Sequence, residues 1–343
     1  MEAQRKSLKK STLPPIFVSC GDPNGIGPEV TLKALSVLPE AARDRVVLAG
    51  HFETLSELTR LLGQPLRLEQ VRSLHDFVGA GALPVLEMEG AKSFHPGYGR
   101  VSAEAGMIAG RGIMRGVEAC LKGETCALVT APASKEALQL AGFQYPGQTE
   151  MLAALSGQQR FIMILAGDNL RVGLTTTHAP LKSVSGQISR ELVFEKIVAL
   201  HEALRRWFEI TNPSIGVAAL NPHASDGGIF GSEEREFIQP AIAEARQMGI
   251  RAEGPHPADA LFARWQKYDG LLAMYHDQGM IPIKMAAFGE AINLTSGLPF
   301  PRTSPDHGTA FDIAGKLLAD PRSMIRAITT AHELTAIPHL NLE

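Results

Sequence analysis

A chain of 343 residues with 33 basic and 36 acidic side chains, and with the apolar share of an ordinary globular protein, is long enough for two α/β domains and nearly neutral. Its lysines and arginines are dispersed apart from the N-terminal QRKSLKK, which excludes a nucleic-acid binder, and no apolar run reaches membrane-spanning length or forms a secretory h-region. Cys20, Cys120 and Cys126 have neither disulfide nor zinc-ribbon spacing, so the expectation is a cytoplasmic protein with inert, buried thiols.

The first apolar run, PPIFVSC, predicts a buried strand, and PEVTLKALSVL predicts a helix, so GDPNGIGPEV between them sits where a dinucleotide-binding loop is expected. The fingerprint G-x-G-x-x-G fails at its last position, because Val30 stands where the third glycine belongs. Asp22-Pro23-Asn24-Gly25 predicts a turn, Gly27 an N-cap, Pro28 the first helical position and Glu29 a charge complementing the helix dipole. A plain strand-to-helix corner and a ligand loop both fit these residues.

Further strands are expected at RVVLAG, CALVTA, FIMIL, RVGLTTT, SIGVAAL, GLLAMY and AINLT, with amphipathic segments between, an alternation that predicts a largely parallel sheet wrapped by helices. SAEAGMIAGRGIMRGVEACLKG predicts a long helix capped by Ser102 and ended by Gly123. Its pairs Gly106/Gly110 and Gly112/Gly116 would permit close packing, either internal or at a dimer interface. Polar or glycine-rich loops follow several strands, and ligands gather at the carboxyl ends of strands in such folds.

His51, His75, His201, His332 and His339 fall in patterns of helix surface or chain tail. His178 in TTTHAPL, His223 in LNPHASDGG and His276 in MYHDQG each follow an apolar strand, so all three project from one sheet edge. They are candidates for a three-ligand metal centre with an open position, or for hydrogen-bonded strand-end histidines, with Asp226 and Asp277 near enough to fix imidazole tautomers. Lys284, Asn293 and Arg302 recur at intervals of nine in an otherwise apolar stretch and form a candidate anion-binding set, against the alternative of two solvated surface cations. Neither G-x-x-x-x-G-K-[ST] nor G-x-S-x-G occurs, which removes support for nucleotide hydrolysis and for an α/β-hydrolase.

GDPNGIGPEV, GQTEML, TTTHAPL, LNPHASDGGIFGSEE, GPHPADALF, YHDQGMIPIK and INLTSGLPFPRTSPDHGTAFDIAG together resemble the motifs of the 4-hydroxythreonine-4-phosphate dehydrogenase family of vitamin B6 biosynthesis. GDPNGIGPEV and DHGTAFDIAGKLLADP also resemble loops of the isocitrate and isopropylmalate dehydrogenases. The resemblance implies two α/β/α domains with an active-site cleft between them, isocitrate/isopropylmalate dehydrogenase-like and without a Rossmann GxGxxG loop. Residues 1–131 with 290–343 would form the first domain and 132–289 the second, bearing the metal ligands and the dimer interface.

The implied chemistry is NAD- or NADP-dependent oxidation of 4-phosphohydroxy-L-threonine at C3, then decarboxylation to 3-amino-2-oxopropyl phosphate. The resemblance assigns a divalent zinc, magnesium or cobalt ion to His178, His223 and His276, with the third, His276, coming from the other subunit of a homodimer. It assigns substrate contacts to Gln148, Thr149, Lys284, Asn293 and Arg302, a catalytic role to Lys284, and the adenosine half of the cofactor to His307, Gly308, Thr309 and Ala310. Asp259 falls on a family motif without an assigned role. The proton acceptor stays open between Lys284, a strand-end histidine and metal-bound water. Gln148 departs from the family pattern GHTE, and glutamine can donate a hydrogen bond but cannot become cationic. A sister dehydrogenase acting on 4-phosphoerythronate, 4-phosphothreonate or another hydroxy acid is the alternative, and a non-catalytic phosphate- or sugar-acid-binding module the reading from another class.

Overall fold

The computed structural model describes residues 13–74, 81–88, 94–167 and 169–336. The N-terminal basic cluster, His75 and His339 lie outside these residues. The chain divides into two compact units, one of residues 1–148 with 307–343 and the other of residues 149–306.

In the first unit the chain runs through β1 (Ile16–Ser19), α1 (Gly27–Val37), α2 (Glu40–Arg43), β2 (Val46–Gly50), α3 (Phe52–Leu61), β3 (Leu68–Val71), β4 (Leu83–Glu87), α4 (Ala103–Leu121), β5 (Ala127–Thr130) and α5 (Lys135–Leu140). Its strands lie in the order β3-β4-β2-β1-β5, and every pairing is parallel. Covered on both faces, β1, β2 and β5 are wholly buried, which is why they read as unbroken apolar runs rather than as an alternation.

The Ser102 hydroxyl caps α4 by accepting the Ala105 N–H at 3.1 Å, and Gly123 follows the helix with a positive φ of 70°, both as its sequence predicts. Its glycines pack internally: a side chain at Gly110 would meet the Phe143 ring, and one at Gly116 would meet Phe17 and Leu128. Two expectations fail here. Ile26, not Gly27, is the N-cap of α1. His51 is buried rather than on a helix surface, because its Nδ1 hydrogen-bonds the Thr54 hydroxyl at 2.7 Å and its ring stands edge-on to Phe94.

The second unit contains α6 (Gln148–Leu155), β6 (Ile162–Gly167), β7 (Leu170–Leu174), α7 (Leu181–Val184), α8 (Arg190–Trp207), β8 (Ser214–Ala218), α9 (Gln239–Gln247), β9 (Arg251–His256), α10 (Ala258–Phe262), β10 (Gly270–Ala273), α11 (His276–Ala286), β11 (Ile292–Ser296) and β12 (Arg302–Pro305). Helix α12 (Arg322–Ala336) returns to the first unit. The strands of the second unit run in the order β12-β11-β6-β7-β10-β8-β9, and their pairing is mixed rather than largely parallel. Strands β12, β11, β6 and β7 pair antiparallel, whereas β7, β10, β8 and β9 pair parallel. Its core gathers Met163, Leu165, Val172, Leu174, Leu271 and Ile283.

The division falls 17 residues later at each boundary than the motifs suggest, at 148/149 and 306/307. Helix α5 packs on α4, which holds residues 135–140 in the first unit, while β11 pairs with β6 and holds β11 and β12 in the second.

Candidate active site

In the first unit the two glycine-bearing motifs meet. The Ile26 N–H donates to the Thr309 carbonyl at 3.0 Å, and a Cβ added at Gly25 would lie 3.0 Å from the Thr309 Cβ. Asn24 ties down the same corner, accepting the Gly97 N–H at 2.7 Å and donating to the Arg100 carbonyl at 2.9 Å. Glu29 does more than complement the dipole of α1: it pairs with Lys33 at 2.7 Å and accepts the Ala319 N–H at 2.8 Å. His307 Nε2 is buried without a partner, and Ala310 holds a positive φ of 41°, so the loop presents polar groups its own fold does not consume. Asp22 is buried with Oδ2 unpartnered, and burial pushes its carboxyl up to about 6 against the opposing pull of the Asn24 N–H.

In the second unit β7, β10 and β8 are parallel neighbours, so the loops after them share one edge of the sheet. His178 follows β7, His276 opens α11 directly after β10, and their rings lie 5.7 Å apart at 42°. Asp277 Oδ1 is 2.7 Å from His276 Nδ1, which leaves Nε2 as the outward nitrogen, the tautomer-fixing role expected of that aspartate. His223 follows β8 but does not join them: among the described residues no group of three or more His, Cys, Asp or Glu side chains is placed to hold a metal ion.

His223 sits instead at the head of a left-handed turn. Residues His223, Ala224, Ser225, Asp226 and Gly227 all have positive φ, between 43° and 71°. Such backbone costs roughly 1–2 kcal/mol per non-glycine residue, so its surroundings must over-determine it. Glu234, 1% exposed, supplies the means: its carboxylate accepts the Leu220 N–H at 2.9 Å, the Asn221 N–H at 2.8 Å, the Asn221 amide at 3.0 Å and the Ser225 hydroxyl.

Asn293 and Arg302 lie on one face of the β11–β12 ribbon, because Arg302 is opposite Thr295 and Asn293 and Thr295 are two residues apart. Arg302 is 2% exposed, not a solvated surface cation. Its guanidinium donates to the Thr295 hydroxyl at 3.1 Å, and burial brings it down to about 10, opposed by the Glu150 carboxylate. Asn293 Oδ1 is buried without a partner. Thr149 is buried in the first turn of α6, beside Glu150, whose Oε1 accepts the Thr177 hydroxyl at 3.4 Å one residue before His178. Lys284, by contrast, is exposed on α11, and Asp259 is exposed on the short α10. A depression of about 510 Å³ along α8, lined among others by Arg160, Arg190, Phe194 and Glu202, contains none of the residues singled out in the sequence.

A family model described as pyridoxal phosphate biosynthetic protein PdxA matches residues 42–331. The chain belongs to the PdxA family. Within the PdxA family it is 42% identical over 330 residues to a 4-hydroxythreonine-4-phosphate dehydrogenase of Geobacter metallireducens, covering 95% of this chain and 97% of the relative. It is similar to the crystal structure of a 4-hydroxythreonine-4-phosphate dehydrogenase from Klebsiella pneumoniae, with a TM-score of 0.83 and 38% identity, covering 94% of this chain and 99% of that one. Likeness to an isocitrate dehydrogenase from Methylococcus capsulatus, at a TM-score of 0.51 and 15% identity over 96% of this chain and 87% of that one, extends to the fold. The PdxA chain is thus an α/β protein of the isocitrate dehydrogenase type, as its loops implied, and its family is one of dehydrogenases.

Proposed function

We propose that the protein oxidises 4-phosphohydroxy-L-threonine at C3 with NAD or NADP and releases carbon dioxide from the resulting β-keto acid, giving 3-amino-2-oxopropyl phosphate in the cytoplasm. The observation that carries this reading is the 42% identity, spanning nearly the whole of both chains, to a relative named for that substrate. The pairing of His178 and His276 at the carboxyl edge supports it independently, since two adjacent imidazoles, one of them held by an aspartate, are donors that a divalent zinc or cobalt centre uses, whereas magnesium would call for added carboxylates. Among the described residues no helix is long and apolar enough to cross a membrane.

Each group of residues has a task. Because His178 and His276 are the pair that one chain brings together, those two with His223 of the partner subunit, in place of the expected cross-subunit His276, would hold the metal, which when bound would supply Lewis acidity toward the C3 alcohol and during decarboxylation. His307 to Ala310 would hold the adenosine half of a nicotinamide cofactor, which when bound would supply the hydride acceptor for C3. Arg302 and Asn293 bind the phosphate or carboxylate and so fix C3 in place. Thr149 and Gln148 add hydrogen bonds at the start of α6, where the helix N-terminus favours anionic groups. Lys284, free in solvent on α11, brings a positive charge to the developing enolate.

An apolar face on and just after α11 supports a homodimer. Ile281 and Met285 on the helix that begins with His276, and Phe288 just past its end, are 60%, 82% and 76% exposed, a surface that a second copy would cover. The test is NADH formation from the phosphothreonine substrate with and without chelator, together with a mixed dimer of His178→Ala/His276→Ala chains and His223→Ala chains. Activity absent from each parent should return in the mixture. Activity in chelated enzyme removes the metal, and inactivity of the mixture removes the shared site.

A further inference from the structure

We infer that Glu234 is the positioning residue for His223, holding the left-handed turn that presents the imidazole. The inference deepens the metal reading and rests on it. Among the described residues Glu234 makes no hydrogen bond to His223; its bonds fall on the residues at both sides of it. Two of its acceptor bonds fix Leu220 and Asn221, the residues that leave β8, and a third fixes Ser225, two residues past the histidine. The Asn221 amide is shared with Glu233 at 2.8 Å, so the chain enters the turn with its donors committed to one pair of adjacent carboxylates.

The local helix geometry shows what is given up for this arrangement. Glu234 opens a single π-helical turn, Glu234–Ile238, at the entry to α9. A π turn departs from the regular ladder, and such turns occur where a side chain must be re-aimed. Here it accompanies an acidic side chain sunk beneath the loop, one that a regular helix surface would turn to water. A carboxylate serves better than an amide because every partner is a donor: two backbone N–H groups, one side-chain amide and one hydroxyl. Glutamine would set its own NH₂ against at least one of them.

The test is titration of the protein with cobalt(II) alone, read by affinity and by the visible d–d spectrum at saturation, in wild type, Glu234→Gln, Ser225→Ala and His223→Ala. Glu234→Gln should weaken cobalt binding by about 10–100-fold, the range for groups that orient a ligand from outside the coordination sphere. Ser225→Ala, which deletes one hydroxyl and tests the same contact if Glu234→Gln fails to fold, should weaken it less. Both should alter the saturated spectrum, which a contribution to stability alone would leave unchanged. Wild-type affinity and spectrum in Ser225→Ala and in any folded Glu234→Gln overturn the inference. Wild-type affinity in His223→Ala overturns the underlying metal reading instead.

Discussion

The backbone N–H of Ile26 donates to the carbonyl of Thr309 at 3.0 Å, joining the first loop of the chain to one near its end. Gly25 makes that contact possible, because a Cβ there would lie 3.0 Å from both the Thr309 Cβ and its carbonyl oxygen. The carbonyl is backbone and cannot rotate aside. Gly25→Ala should therefore displace the Thr309 loop and raise the KM for NAD by about tenfold, some 1.4 kcal/mol. Gly25→Val should do so more strongly. Cobalt binding, whose candidate ligands lie in the other unit, should be unchanged. A dinucleotide titration by fluorescence quenching reads the effect, and unaltered affinity in both variants would remove this loop from the cofactor site.

Arg302 combines burial with charge, and the Thr295 hydroxyl accounts for one of its donors. Removing a buried, hydrogen-bonded charge that engages a ligand costs about 2–5 kcal/mol of binding. Arg302→Met should weaken phosphorylated substrate to that extent and abolish competitive inhibition by inorganic phosphate. Arg302→Lys should recover only part, since an ammonium cannot reproduce the planar fork. Phosphate inhibition equal to wild type in Arg302→Met would show that the arginine serves the core alone.

These two sites differ in how far the sequence discloses them. Asn293 and Arg302 stand out because apolar residues surround them, and the pairing of β11 with β12 places them on one face. Strand β12 itself, Arg-Thr-Ser-Pro, escapes a pattern reading because its burial comes from tertiary pairing and not from its composition. Strand β9, Arg-Ala-Glu-Gly-Pro-His, escapes for a different reason: it ends the strand order and only Ala252 is buried, so it has no apolar pattern to read. Glu150 and Glu234 are likewise hidden. A lone carboxylate in a helical segment reads as a solvated face until its long-range partners are known. The three strand-end histidines were legible as a set by their position after apolar runs, but their convergence depends on how the strands are ordered, and that order brings only His178 and His276 together within one chain.

Gln148 opens α6 next to the buried Thr149. Neutral at every working pH, glutamine contributes no titration of its own. Gln148→His should add an inflection to the pH profile of kcat/KM near the histidine range of about 6–7, with tighter binding of phosphorylated substrate below it. The wild-type profile should lack that step. Superimposable profiles would show that position 148 does not meet the substrate's charge.

Asp22 provides a stability test with a definite sign. Burial holds its carboxyl at about 6 in the folded protein against 3.8 for the free group. Between those values the native state binds more protons than the unfolded chain, so this group's contribution to stability falls as pH rises through the window and stays low above it. The full difference corresponds to about 3 kcal/mol, of which about 2 kcal/mol develops between roughly pH 4.5 and 7.5. Asp22→Asn keeps an oxygen to accept the Asn24 N–H, which Asp22 Oδ1 now accepts at 2.9 Å, and removes the ionisation. Urea unfolding should therefore show the variant gaining about 2 kcal/mol on wild type across that interval, with other carboxylates cancelling in the difference. A pH-independent difference would mean that Asp22 meets a compensating positive charge in the folded protein.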